Sequence, residues 1–202
     1  MALTLYGSAR SRAMRTLWIL AELDLDFEHV PYDWVAPQLK SPEFLALNPS
    51  GAIPMIVDGG VVVAESMAIA LYLAKRYGDA GPEPLYPPGP QVEADIWRWS
   101  LWAQGHLEPW VQRDLRLAHL YDDAPSAMRD EALRSLAILE RALATQAWLC
   151  AGHFTVADLN VAGVLSPSRS SRLPIADYPA VAAWLARCYG RPAAQATRAR
   201  YG

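Results

Sequence analysis

Cysteine is nearly missing from this 202-residue chain: only Cys150 and Cys188 occur, and the first 149 residues hold no thiol. Chemistry that needs a protein thiolate in that stretch, disulfide exchange through a Cys-x-x-Cys pair above all, is excluded. The two cysteines read as buried free thiols of a reducing compartment rather than as a disulfide. Long apolar runs are missing too, because charges break each one well before membrane-spanning length. Met1-Ala-Leu-Thr-Leu-Tyr6 has neither the basic start nor the long apolar stretch of a signal peptide, so the expected address is the cytoplasm. No Lys/Arg stripe exists and the formal net charge is −3, so nucleic-acid binding is not suggested. The histidines His29, His106, His119 and His153 lack ligand spacing with Asp, Glu or Cys, and no metal site is read.

What is present points to a folded core. Apolar residues make up 52% of the chain and charged ones 19%, which excludes a disordered chain. Thr4-Leu5-Tyr6 reads as a short strand. From Ser11 to Leu23 the apolar positions Met14, Leu17, Trp18, Leu20 and Ala21 recur at helical spacing. Phe27 to Pro31 alternates like a second strand, and Pro42 to Leu47 is a short helix. Between Gly81 and Pro90 stand five prolines, a density that stops any helix and stiffens the connection. This stretch, 81–90, is read as a linker between an α/β domain over 1–80 and an all-helical domain over 91–202. In the latter, one long helix is expected from Val92 to about Leu120, interrupted or bent at Pro109. Others are expected from Ser126 to Thr145, from Thr155 onward and from Pro179 to about Tyr189. Thr155-Val-Ala-Asp158 is a capping box in its Asp form, with Phe154 and Leu159 as the staple, a helix-nucleating device that does no chemistry.

The most telling segment runs from Asn48 to Ser66. A loop leads through Ile53-Pro54 into a strand, turns at Asp58-Gly59-Gly60, and returns along a second strand to Glu65-Ser66, making a hairpin. Proline has no N–H to donate, so Pro54 belongs at a strand start or an edge. The Ile53-Pro54 bond is also a candidate cis peptide. Glu65-Ser66 precedes the helical stretch from Met67 to Lys75, and backbone N–H groups with a hydroxyl at a helix start attract a carboxylate. The segment reads as a receptor for a short peptide with a free carboxylate.

With Leu5-Tyr6-Gly7-Ser8-Ala9-Arg10-Ser11-Arg12 near the start, the proline-rich linker and the helical remainder, this order of elements resembles the glutathione transferase superfamily. The closest pattern is that of its bacterial theta/beta-like, serine-type members. The resemblance implies a thioredoxin-like domain followed by a helical bundle, glutathione as co-substrate, no metal, and a homodimer. Ile53, with Pro54, would offer its backbone to the cysteinyl part of glutathione. Glu65 would pair with the γ-glutamyl ammonium, Ser66 with its carboxylate, and Lys40 with the glycyl carboxylate.

With no cysteine at the first strand–helix junction, the site must borrow its thiol from the ligand. A thiol of pKa ~8.5 is only ~3% ionised at pH 7, and lowering it by ~2 units takes about 2.7 kcal/mol. One hydrogen bond to the anion supplies roughly 1.5–3 kcal/mol and a helix N-terminus about 0.3–1. A single hydroxyl is therefore sufficient. Ser11 is the first choice, against plain N-capping. Tyr6 at the strand end and Ser8 remain open as rivals. A small hydrophobic electrophile would lie against a helical-domain wall drawn from Trp97, Trp99, Trp102, His106 and Trp110, with His106 and Trp110 as pocket candidates, against the blander reading of tryptophans packed in a core. Two other classes remain: a cysteine-free glutathione-dependent disulfide reductase or peroxidase, and a non-catalytic binding protein that keeps the fold.

Overall fold

The computed structural model describes residues 3–79, 82–111, 126–166 and 173–202. The chain divides into two compact units, residues 1–80 together with 191–202, and residues 81–190.

The first unit is built on a four-stranded mixed sheet of order β2-β1-β3-β4. Its strands are β1 (Leu3–Tyr6), β2 (Phe27–Val30), β3 (Met55–Asp58) and β4 (Val61–Ala64). β1 runs parallel to β2, and β3 runs antiparallel to both β1 and β4. Side chains alternate across the sheet. Leu5 and Ile56, paired in register, are fully buried on one face. Tyr6 and Met55 lie on the other, where Leu39 and Phe44 complete a small core. The helices are α1 (Ala13–Glu22), α2 (Pro42–Leu47), preceded by a 3₁₀ turn Pro37–Lys40, and α3 (Ser66–Tyr77). α1 packs against α3, and its residues from Arg15 to Leu20 are all buried. At the far end of β3, buried Asp58 accepts hydrogen bonds from the hydroxyls of Tyr72 and Tyr77, both at 2.8 Å, and pairs with Arg76. Burial, reinforced by that hydrogen bond, pushes the Tyr72 phenol up to about 12.

The second unit is helical: α4 (Pro90–Trp102), α5 (Ser126–Leu143), α6 (Val156–Val164) and α7 (Pro179–Tyr189). α6 packs on α4, and α5 on α7. The capping box forms, and Asp158 is the centre of the unit. Its Oδ2 accepts from the Thr155 N–H and hydroxyl at 3.0 and 3.1 Å, and its Oδ1 from Leu149 N–H and Trp184 Nε1 at 3.0 and 2.9 Å. The N–H groups in the first turn of α7 are met similarly, Glu140 accepting from those of Ala180 and Val181. Cys150 and Cys188 are free and buried.

Three features depart from the sequence reading. The interruption of the α-helical ladder lies not at Pro109 but in a π turn, Ala103–Leu107, just before it, where the Glu108 N–H reaches back to Ala103 O. Pro109 cannot donate to the carbonyl four residues earlier, and the ladder accommodates the loss in the preceding turn. The expected continuation to Leu120 lies outside the described residues. The tryptophans divide between the two readings: Trp99 packs in the core and donates to Leu149 O at 3.1 Å, whereas Trp97 is 51% exposed. Finally, residues 191–202, read as part of the helical half, form α8 (Pro192–Tyr201) within the first unit. α8 packs on α1, and Arg191 makes two 2.9 Å hydrogen bonds to the Glu22 carboxylate at the end of α1.

Candidate active site

The site residues of the first unit converge because of strand register. Met55 pairs with Ala64, so Pro54 and Glu65, one step beyond on antiparallel strands, are neighbours. The Ile53–Pro54 peptide is cis. Gly7, next after β1, has φ +137°, and a Cβ there would meet Ala13, Ile53 and Pro54 at 3.1, 3.3 and 3.4 Å. Glycine is what lets the end of β1, the start of α1 and the Ile53–Pro54 loop meet in one place. Below, Arg15 on α1 is 3% exposed and donates from Nη1 to Ser66 Oγ at 2.7 Å, tying the first turn of α1 to the first residue of α3.

The loop before Pro54 is pinned from inside. Asn48 is buried; its Nδ2 donates to Ala52 O at 2.9 Å, and its Oδ1 accepts from the Ser50 N–H and hydroxyl. Lys40 is exposed, with Nζ 3.4 Å from Gly51 O.

Two hydroxyls stand where β1 meets α1, and their states differ. Ser11 Oγ donates to Ser8 O at 2.7 Å and accepts from Ala13 N–H at 3.0 Å, so it caps the first turn. Ser8 Oγ is buried without a hydrogen-bond partner. The third candidate, Tyr6, packs its ring against Tyr32 and Phe44, each at 5.9 Å between centroids.

At the other side, Glu65 is exposed, with φ +71° and ψ 119°, and Ser66 behind it is buried. A non-glycine residue held there costs on the order of 1–3 kcal/mol, and such strain gathers where a backbone must present itself to a ligand. The start of α3, the end of a helix at which an anion is favoured, carries the Ser66 hydroxyl, and the Arg15 guanidinium donates to it. Sequence reasoning missed Arg15 and Asn48. The available signal for Arg15 was a charge set inside the apolar stretch Met14 to Leu20.

His106 lies exposed in the π turn of the second unit, and its carbonyl accepts from Ser135 Oγ at 3.2 Å. Trp110 is half-buried. Among the described residues no group of three or more His, Cys, Asp or Glu could hold a metal ion, and no helix is long and apolar enough to cross a membrane.

The architecture is that of a thioredoxin-like domain joined to a helical domain, as in solved glutathione transferases. The sequence matches the glutathione S-transferase N-terminal domain over residues 1–75 and the glutathione S-transferase C-terminal domain over 108–187. It is 35% identical to glutathione S-transferase 3 of Zea mays over 211 residues, covering 96% of this chain and 92% of the maize protein. It is 32% identical to a glutathione S-transferase of Hyoscyamus muticus, covering 96% of each. Among solved structures, a glutathione transferase of Phanerochaete chrysosporium with oxidized glutathione superposes with a TM-score of 0.85 at 29% identity, covering 99% and 95% of the two chains. The chain belongs to the glutathione S-transferase family, and with it to the transferases.

Proposed function

We propose that the protein binds glutathione at the corner formed by Gly7, Ser11, Ile53, Pro54, Glu65 and Ser66, and directs its thiolate onto a small hydrophobic electrophile. The observation that carries this reading is the Ser11 hydroxyl at the start of α1, its proton on the Ser8 carbonyl at 2.7 Å and its oxygen held by Ala13 N–H. Turning that proton onto a thiolate exchanges a neutral hydrogen bond worth about 0.5–1.5 kcal/mol for one to a charged group worth about 1.5–3. The Ala13 N–H keeps the oxygen in place meanwhile. The thiol proton leaves to solvent on binding. The sulfur then forms a bond to the electrophilic carbon, and the leaving group departs with the electron pair of the bond it breaks.

The other roles follow from chemistry and position. Ile53 pairs its backbone with the cysteinyl portion as an added strand. Glu65 meets the γ-glutamyl ammonium and Ser66, backed by Arg15, its carboxylate. Lys40 meets the glycyl carboxylate. His106 and Trp110 serve the electrophile side, a role supported by the exposure of His106 in a π turn, an irregularity frequent at functional sites. The protein works in the cytoplasm as a homodimer, supported by exposed Val61 and Val62 on β4 and by Trp97 and Leu101 on α4.

Thiolate absorbance of bound glutathione followed against pH tests the reading. A thiol ionising well below its free value, and returning toward it in Ser11→Ala with affinity nearly intact, supports it. Glutathione that binds without a shift sinks it. A second reading, with Ser8 as the thiolate donor, is favoured by the unpartnered Ser8 Oγ; then Ser8→Ala, and not Ser11→Ala, raises the thiol pKa. Turnover of mixed disulfides or hydroperoxides without conjugation would instead make the protein a cysteine-free reductase or peroxidase. Absence of glutathione binding would leave a non-catalytic scaffold.

A further inference from the structure

The Gly7–Ser8 peptide unit is held at both poles. Its N–H, that of Ser8, donates to Tyr32 O at 2.7 Å, and its carbonyl, that of Gly7, lies 2.9 Å from His29 Nε2. A carbonyl oxygen can only accept, so the contact requires the hydrogen of His29 on Nε2. His29 sits on β2 opposite Leu5, so its side chain shares a face with Leu5 and, two residues on, Gly7. The ring is fixed from behind. It meets Tyr201 of α8 edge-on at 5.7 Å and lies 6.1 Å from Phe27, at the wall of a cleft of about 400 Å³ between α1, β2 and α8.

The next peptide along carries the chemistry. The Ser8 carbonyl receives both the Ser11 hydroxyl and the Ser11 N–H, at 2.7 and 3.0 Å. The direction of that carbonyl, and with it the place of both serine hydroxyls, depends on the plane that His29 holds. Gly7, with no side chain and φ +137°, is where the chain would pivot if the hold were lost.

We infer that His29 is a positioning residue: by donating from Nε2 to the Gly7 carbonyl, it orients the β1–α1 turn that presents the thiolate-binding hydroxyl. The inference rests on the transferase reading above and adds a residue that touches neither substrate.

The test compares His29→Phe, which keeps an aromatic ring between Phe27 and Tyr201 but cannot donate, with His29→Gln, which restores a donor. Three readouts apply: amide hydrogen exchange at Ser8, the pKa of bound glutathione thiol, and kcat against KM with a chlorodinitrobenzene electrophile. In His29→Phe the Ser8 amide is expected to exchange about tenfold faster or more. The bound thiol pKa rises, and kcat falls about three- to tenfold with KM within about twofold. His29→Gln returns all three most of the way. A merely structural histidine would lower the melting temperature of His29→Phe and leave the thiol pKa and kcat of the folded protein unchanged, which overturns the inference. If wild-type protein leaves glutathione unactivated, the transferase reading falls on its own. The Ser8 exchange rate then decides for or against the clamp. If His29→Phe does not fold, imidazole 15N shifts of the wild type decide, because a neutral ring protonated at Nδ1 leaves Gly7 O without a donor and ends the proposal.

Discussion

The Asp158 carboxylate in the helical unit and the Ser8 hydroxyl of the β1–α1 turn in the sheet unit are both buried polar groups, and they are treated in opposite ways. Around Asp158 both carboxylate oxygens accept two hydrogen bonds each, all from groups of its own unit. Burial still pushes its pKa up, against the pull of those donors. At the turn, Ser8 Oγ is buried without a partner, and across the hairpin Glu65 sits at φ +71°. A closed network specifies a fold and offers nothing to a ligand. An unmet hydroxyl after one strand and a strained backbone after another are what remain when a site waits for something to bind.

Five experiments would break or sharpen this contrast. Asp158→Ala leaves the donors of Trp184, Leu149 and Thr155 unmet and is expected to cost about 3–5 kcal/mol in urea unfolding, with activity per folded molecule retained. Next in size, the Cys150 thiol beside Thr155 is pushed up to about 11, chiefly by burial. Iodoacetamide at pH 7.5 should therefore modify it about a hundredfold or more slower than a free cysteine, until denaturant exposes it. Ser66→Ala removes the 2.7 Å hydrogen bond that the buried Arg15 guanidinium donates from Nη1 and should lower stability by about 1.5–3 kcal/mol while weakening glutathione binding, both measurable on one preparation. Ser11→Ala removes a cap and should cost about 1–2 kcal/mol, whereas Ser8→Ala removes an unmet group and should be neutral or stabilising. Equal losses from the two serines would erase the distinction drawn between them. Smallest is Glu65→Gly: glycine accepts positive φ, so stability should hold or rise by up to about 1 kcal/mol while glutathione affinity falls. A large loss of stability there would mean the backbone of Glu65 is not strained.

The sequence carried most of this arrangement where the signal was local. The short strand Thr4 to Tyr6, the alternation from Phe27 to Pro31, the turn at Gly59-Gly60, Pro54 at a strand start and the box at Thr155–Asp158 each name an element through its own residues. What stayed hidden was coupling across long separations. Arg15 reads as a charge out of place until Ser66, fifty-one positions on, is seen to accept from it. α8, Pro-Ala-Ala-Gln-Ala-Thr-Arg-Ala-Arg-Tyr, has too few apolar positions to announce a packed face. Its packing on α1 and the pairing of Arg191 with Glu22, 169 residues apart, show where it belongs. The sequence points to Pro109 for the interruption because proline marks the missing donor, whereas the distortion, the π turn Ala103–Leu107, falls on the turn before it.

Because residues 191–202 complete the sheet unit, the order of synthesis differs from the order of assembly. A ribosome finishes the sheet and the first three helices, then makes roughly 110 further residues before α8 emerges, a delay of about 5–20 s at ~5–20 residues per second. Through that interval the surface of α1 that α8 will cover stays bare, and Glu22 waits for Arg191. Tethering a copy of residues 191–202 directly after Ala80 should cover that surface as soon as the sheet unit is made, and speed its refolding relative to the natural order.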